Sequence, residues 1–166
     1  MPRDKRIRHN RRIALIFGSV LLLTLCFIWG NSLQSSEASG QLSGSVRLFL
    51  ERMLTHPVNE FFLRKAAHFS EYALLGAELS ALLCLLRDKN GNPLARGRNL
   101  ADFPELGFLA AALDETIQIF TGRGSSLLDV WLDTAGFLTG FFLTVLLFYL
   151  FRQFTGASRR NRNEKL

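Results

Sequence analysis

The chain has 166 residues, room for one domain, and 48% of them are apolar, with fifteen Phe. Twenty Lys and Arg against fourteen Asp and Glu leave a net charge of +6. The apolar residues lie in blocks with the cations between them, which excludes an ordinary soluble domain and makes the charge a matter of membrane topology, not of nucleic-acid binding.

In chain order, residues 1–12 form a basic tail carrying Arg3, Lys5, Arg6, Arg8, Arg11 and Arg12. Ile13 to Trp29 is uncharged and long enough to span a bilayer with help from its flanks, at ~1.5 Å per residue. A cleaved signal peptide is the rival reading, with Gly30-Asn31-Ser32 as its weak cleavage site. The apolar core is longer than a signal core, so a retained helix is expected. Residues 30–65 form a long external loop that is Ser- and Gly-rich at first. Within it Val46, Phe49, Leu50, Met53 and Leu54 recur at helical spacing. That predicts a short amphipathic helix at about 46–54, lying in the interface and ended by Pro57.

Ala66 to Leu86 is the second predicted span, although it contains His68, Glu71 and Glu78 and has Arg64 and Lys65 at its mouth. Residues 87–102 are a turn-rich basic loop marked by Asn90-Gly91 and Pro93. Phe103 to Phe120 is the third span, with Pro104 at a helix start. A Gly/Ser turn carrying Arg123 follows, and Val130 to Phe151 is the fourth span, entered through Asp129. Residues 152–166 form a second basic tail. No internal repeat is visible. Cys26 and Cys84 fall near opposite membrane faces in this arrangement, so no disulfide is expected. No Cys or His spacing resembles a zinc site, and no metal site or cofactor is assigned from the sequence.

The predicted fold is therefore all-α: a polytopic bundle of four transmembrane helices over residues 13–151, with one interfacial helix. The two tails and the 87–102 loop, with Arg152, hold fifteen of the twenty cations. The positive-inside rule then puts both termini in the cytoplasm. In that topology the ionisable groups of three segments share the outer leaflet. Intramembrane charges mark a functional site by default. His68 and Glu71 are i, i+3; Asp114 and Gln118 are i, i+4; Glu115 and Gln118 are i, i+3; Asp129 and Asp133 are i, i+4. Each pair shares a helix face. Asp114 and Glu115 lie about 100° apart on their helix, and the sequence does not say which of them faces a partner. Gly136 and Gly140 form a small-xxx-small face that permits close helix contact. Glu78 lies apart from the other charges and fits a hydrogen-bonded structural role.

The run Arg64-Lys65-x-x-His68-Phe69-x-Glu71-Tyr72, then Asp114-Glu115-x-x-Gln118-x-Phe120-x-x-Arg123, then Asp129-x-x-x-Asp133-x-x-Gly136-x-x-x-Gly140, resembles the VanZ-like family. The likeness covers roughly residues 15–150, and Asp133 departs from it, the family often having asparagine there. It implies a small bacterial multi-pass membrane protein. It also implies a link to glycopeptide resistance of the teicoplanin type, with which the namesake is associated.

The reading these features favour is a site for the headgroup of a lipid, envelope amphiphile or lipid-linked precursor. Arg64, Lys65, Gln118, Arg123 and Asp133 are its expected binding residues. Glu71, Glu115, Asp129 and His68 are its candidate acids and bases. Glu71, Glu115 or Asp129 can also bind a divalent cation through oxygen ligands. Two alternatives stand beside it: a lipid or proton-coupled transporter, against which the few spans and the missing repeat count, and a non-catalytic scaffold in envelope assembly. Whether the protein is an enzyme stays open.

Overall fold

The computed structural model describes the backbone of residues 2–95 and 102–163, and side chains as far as residue 154. The Arg96 and Arg98 part of the basic loop and the last three residues of the second tail lie outside the described residues. Five helices follow in order: α1 Arg3–Ser32, α2 Ser36–Leu54, α3 Glu60–Leu85, α4 Pro104–Phe120 and α5 Leu127–Asn163. The architecture is all-α, as expected.

Four boundaries differ from the sequence expectation; one is α3, which begins at Glu60 and not at Ala66, because the Asn59 side chain accepts from the Phe61 N–H and caps it, so residues 60–65 are helix and not loop. The basic tail is not separate from the first apolar run, because the helix is already formed at Arg3; Arg and Lys are good helix formers, and nothing between them breaks the helix. α2 starts ten residues before the predicted 46, since the Ser35 side chain accepts from the Ala38 N–H and caps it. It ends at Leu54, ahead of Pro57, where Thr55 turns left-handed with φ 55° and its N–H reaches the Glu51 carbonyl. α5 runs on to Asn163 and absorbs most of the second tail.

Two helical stretches, Arg3–Ser32 and Leu127–Phe154, are long and apolar enough to cross a membrane. Leu15, Ile16, Leu22, Leu23 and Phe27 of α1 are exposed, as are Leu143, Leu146, Leu147 and Phe151 of α5. Exposed apolar surface on this scale marks an interaction surface rather than a soluble exterior. α3 carries more charge, and α4 is only 17 residues long.

The main interface is α3 against α5, with α4 and α1 packed on it. Glycines set how close the helices come. A side-chain carbon at Gly136 would overlap the Phe69 carbonyl, one at Gly140 the Ala73 carbonyl, and one at Gly76 the Phe137 carbonyl. Backbone therefore lies on backbone from both sides, which is what small-residue faces allow. Tyr72, Leu75, Phe137 and Phe141 fill the core beside this contact, and the Tyr72 hydroxyl donates to the Ala110 carbonyl at 3.2 Å. Cys26 on α1 is exposed and Cys84 on α3 buried; both are free.

The two ends of the bundle are fastened differently. At one end Asn10 of α1 exchanges hydrogen bonds with the Arg87 backbone, donating at 2.7 Å and accepting at 3.1 Å, and Arg6 donates to the Lys89 carbonyl. The Asp88 carboxylate there accepts from the backbone N–H groups of Asn92 and Asn90, which hold its pKa below the usual value. At the other end α1 stops beside the α4–α5 turn, where Thr121 donates to the Ser32 carbonyl at 3.1 Å.

Candidate functional site

The α4–α5 turn is built so as to aim one side chain inward. Gly122 takes φ 70°, and the Arg123 N–H returns to the Gln118 carbonyl at 3.0 Å. This is the six-to-one bond of a Schellman ending, which needs a left-handed residue just past the helix. Arg123 is thereby turned back over the bundle end, 7% exposed, with its Nη1 donating to the Asn31 carbonyl at 2.7 Å. Burial and the neighbouring Arg64 lower the Arg123 pKa from its ordinary value; Asp114, Glu115 and Glu71 act against that.

Beneath the arginine lies a polar layer drawn from four helices. Gln118 donates to Asp114 Oδ2 and to Glu115 Oε1, both at 3.1 Å, and reaches the Ser32 hydroxyl at 3.5 Å. Glu115 also accepts from the Ser126 N–H at 2.9 Å, tying α4 to the start of α5, where the Ser126 hydroxyl accepts from the Leu128 N–H. Glu71 accepts from the Asn31 amide at 3.4 Å. Asp114 and Asp133 are fully buried. One donor atom each from His68, Asp114 and Asp133 lies within 4.8 Å of the other two.

Most of the sequence-predicted residues converge here. His68, Glu71, Glu115, Gln118, Arg123 and Asp133 meet in this layer. Arg64 is exposed at its edge. Lys65 and Asp129 form an ion pair with each other, at 28% and 22% exposure, that fastens α3 to the start of α5. Lys65 also lies 5.2 Å from the Phe61 ring centroid. Asp129 is thus held by Lys65, while Arg123 is bonded to the Asn31 carbonyl. Glu78 stands apart, accepting from Thr24 at 2.9 Å as a structural carboxyl would.

Sequence reasoning left three participants off the site. Asn31 and Ser32 end α1 and reach Glu71, Arg123 and Gln118; their signal was a polar pair closing an apolar run. Asp114 was the other, although its i, i+4 relation to Gln118 pointed inward.

Two cavities open onto this layer and share Arg64 and His68. One, about 150 Å³, lies between α2 and α3; Arg64, Arg123 and Glu71 line it together with Leu42, Val46 and Leu63. The other, about 290 Å³, is lined by Glu60, Lys65, Gln118 and Asp129 among others. α2 is held across the first by Ser36 donating to the Gly122 carbonyl at 3.4 Å and by Ser43 donating to Glu60 at 3.1 Å.

A family model described as VanZ/LLP1 matches residues 17–151. No curated protein and no solved structure gives a significant match to the chain.

Proposed function

The chain belongs to the VanZ/LLP1 family, and from that premise we propose that it binds, in the extracytoplasmic leaflet, the anionic headgroup of a lipid or other cell-envelope amphiphile. In this reading α1, α3, α4 and α5 all cross the membrane, over the domain 13–151, with both termini cytoplasmic. The distribution of cations supports that topology, and so does the fastening of the basic start of α1 to the 87–89 segment. The polar layer sits at the opposite end of the bundle, where α1 stops and the α4–α5 turn closes.

The observation that carries the reading is the cavity beneath α2. Its lining includes Arg64 and Arg123, which suit a phosphate or carboxylate, and Leu42, Val46 and Leu63, which suit an acyl chain. Small-ligand sites combine apolar walls with a few placed polar groups in this way. His68 and Glu71 border the same space and are the groups placed to move a proton if the bound headgroup is modified. The association of VanZ-type proteins with teicoplanin resistance belongs to the same envelope context, so susceptibility to that antibiotic is a phenotype to follow.

The test is incubation of the purified protein with a lipid extract, followed by mass spectrometry of bound and free lipids. Headgroup binding predicts an anionic lipid retained by the wild type and lost in Val46→Trp, which fills the cavity. New lipid products make the protein an enzyme, and unchanged lipid moved between vesicle leaflets makes it a carrier. Retention of no lipid by the wild type leaves a scaffold role.

A further inference from the structure

We propose that His68, Asp114 and Asp133 form a binding site for one divalent transition-metal ion, with zinc the ion that this donor set suits. The three side chains come from α3, α4 and α5, and one donor atom of each lies within 4.8 Å of the other two. Donors sharing a zinc ion sit about 3–4 Å apart, given bonds of about 2.0–2.2 Å. The donors would have to draw together by the difference when an ion binds.

The strongest sign is what the two carboxylates lack. Asp114 and Asp133 are 0% exposed, yet Asp114 Oδ1 and both oxygens of Asp133 have no hydrogen-bond partner; His68 Nδ1 has none either. Buried polar atoms are nearly always partnered, and an unpaired buried carboxylate is costly. Of the nearby donors, Lys65 is bonded to Asp129, Arg123 Nη1 to the Asn31 carbonyl, and the Gln118 amide to Asp114 Oδ2, Glu115 and Ser32, while Arg123 Nε is left without a partner. Unpartnered acceptors on three residues that approach one another this closely are what a cation held among them would ligate.

The chemistry of the set narrows the ion. Two carboxylates balance a double positive charge. An imidazole ligand favours a borderline transition metal over magnesium or calcium, which take all-oxygen shells. Three protein ligands leave zinc a fourth position, the arrangement of sites that bind a water or an exogenous ligand. His68 also lines both cavities. The metal site stands independently of the headgroup reading, because the ion is assayed without lipid.

The experiment uses the full chain, tag removed, in detergent, stripped with a chelator and titrated with zinc by calorimetry. Elemental analysis gives the stoichiometry, and cobalt serves as a visible-absorption probe. One zinc per chain is expected, undisturbed by excess magnesium or calcium. Asp133→Asn should weaken zinc by more than about 100-fold, beyond what loss of an outer-shell partner costs. It should also lose the zinc-dependent rise in melting temperature that a ligand of the folded state produces. Glu78→Gln, remote from the cluster, should bind as the wild type does. If Asp133→Asn fails to accumulate, the wild-type stoichiometry and cobalt spectrum decide alone. Absence of stoichiometric zinc in the wild type, or wild-type affinity in Asp133→Asn, overturns the proposal and leaves the carboxyls sharing protons.

Discussion

Arg123 holds the position from which the other polar residues take their meaning. Its guanidinium is buried at the bundle end, and one nitrogen is spent on the Asn31 carbonyl, while Nε is without a hydrogen-bond partner. Arg123 also lines the cavity beneath α2, and a guanidinium can bind a phosphate or carboxylate through two parallel N–H groups. Lysine keeps the charge and loses the fork, so Arg123→Lys is not a conservative change here. Arg123→Ala is expected to abolish retention of anionic lipid while protein still accumulates in the membrane, and Arg123→Lys to retain little. Loss of the bond to Asn31 costs about 1.5–3 kcal/mol of stability, the range for hydrogen bonds to charged groups. Glu115→Gln should lose retention through a different cause, since Glu115 holds Gln118 and the Ser126 N–H and thus the turn that carries Arg123. Membrane abundance and lipid retention, measured together, separate the two effects. Wild-type retention in both Arg123→Ala and Glu115→Gln would reduce Arg123 to a loop cation.

At the scale of the element, the glycine contacts between α3 and α5 fix how near the ligating residues come. His68 is one residue from Phe69, whose carbonyl lies on Gly136, and Asp133 is one helical turn before Gly136. The same contact that packs the helices therefore brings His68 and Asp133 together. Gly136→Ala and Gly140→Ala drive a methyl into backbone that cannot swing away, and each is expected to cost about 1–3 kcal/mol or more, as overpacking does. Gly107→Ala meets the Phe137 ring instead of backbone, and should cost less to the extent that this buried ring can turn. Thermal unfolding in detergent reads this order, and equal stability of Gly140→Ala and wild type would refute it. The α5 half of this contact was legible in the sequence, because Gly136 and Gly140 stand four apart in an apolar run. Gly76 was not, since a lone glycine in a charged helix announces no partner. α2 was half legible: its apolar stripe shows from Val46 on, whereas its first turns are Ser and Gly and depend on the Ser35 cap and on contacts to Gly122 and Glu60. Pairings between helices, such as Lys65 with Asp129, were beyond reach, because helical period gives the face of one helix and not the azimuth of its neighbour.

For the whole molecule, the sidedness of the bundle decides what its polar end can meet. Asn31, Gln118 and Arg123 are at one end; Asn10 and Arg87 are at the other. The second end also holds the cation-rich segments, and cytoplasmic loops carry the excess of Lys and Arg. A reporter fused after Leu166 and one inserted at Gly91 are therefore expected to report cytoplasm, and one near Ser39, at the start of α2, the exterior. Gly91 suits insertion because it is exposed and occupies a left-handed turn, φ 85°, with open space around it. The three positions test separate parts of the arrangement. Ser39 and Gly91 on opposite sides require that α3 cross the membrane despite Glu71 and Glu78, and Gly91 and Leu166 on the same side exclude a crossing by just one of α4 and α5. An exterior signal at Gly91 would invert the bundle. Arg64 and Arg123 would then face the cytoplasmic leaflet, and the bound amphiphile would have to be a cytoplasmic-face lipid or precursor instead of one in the outer leaflet.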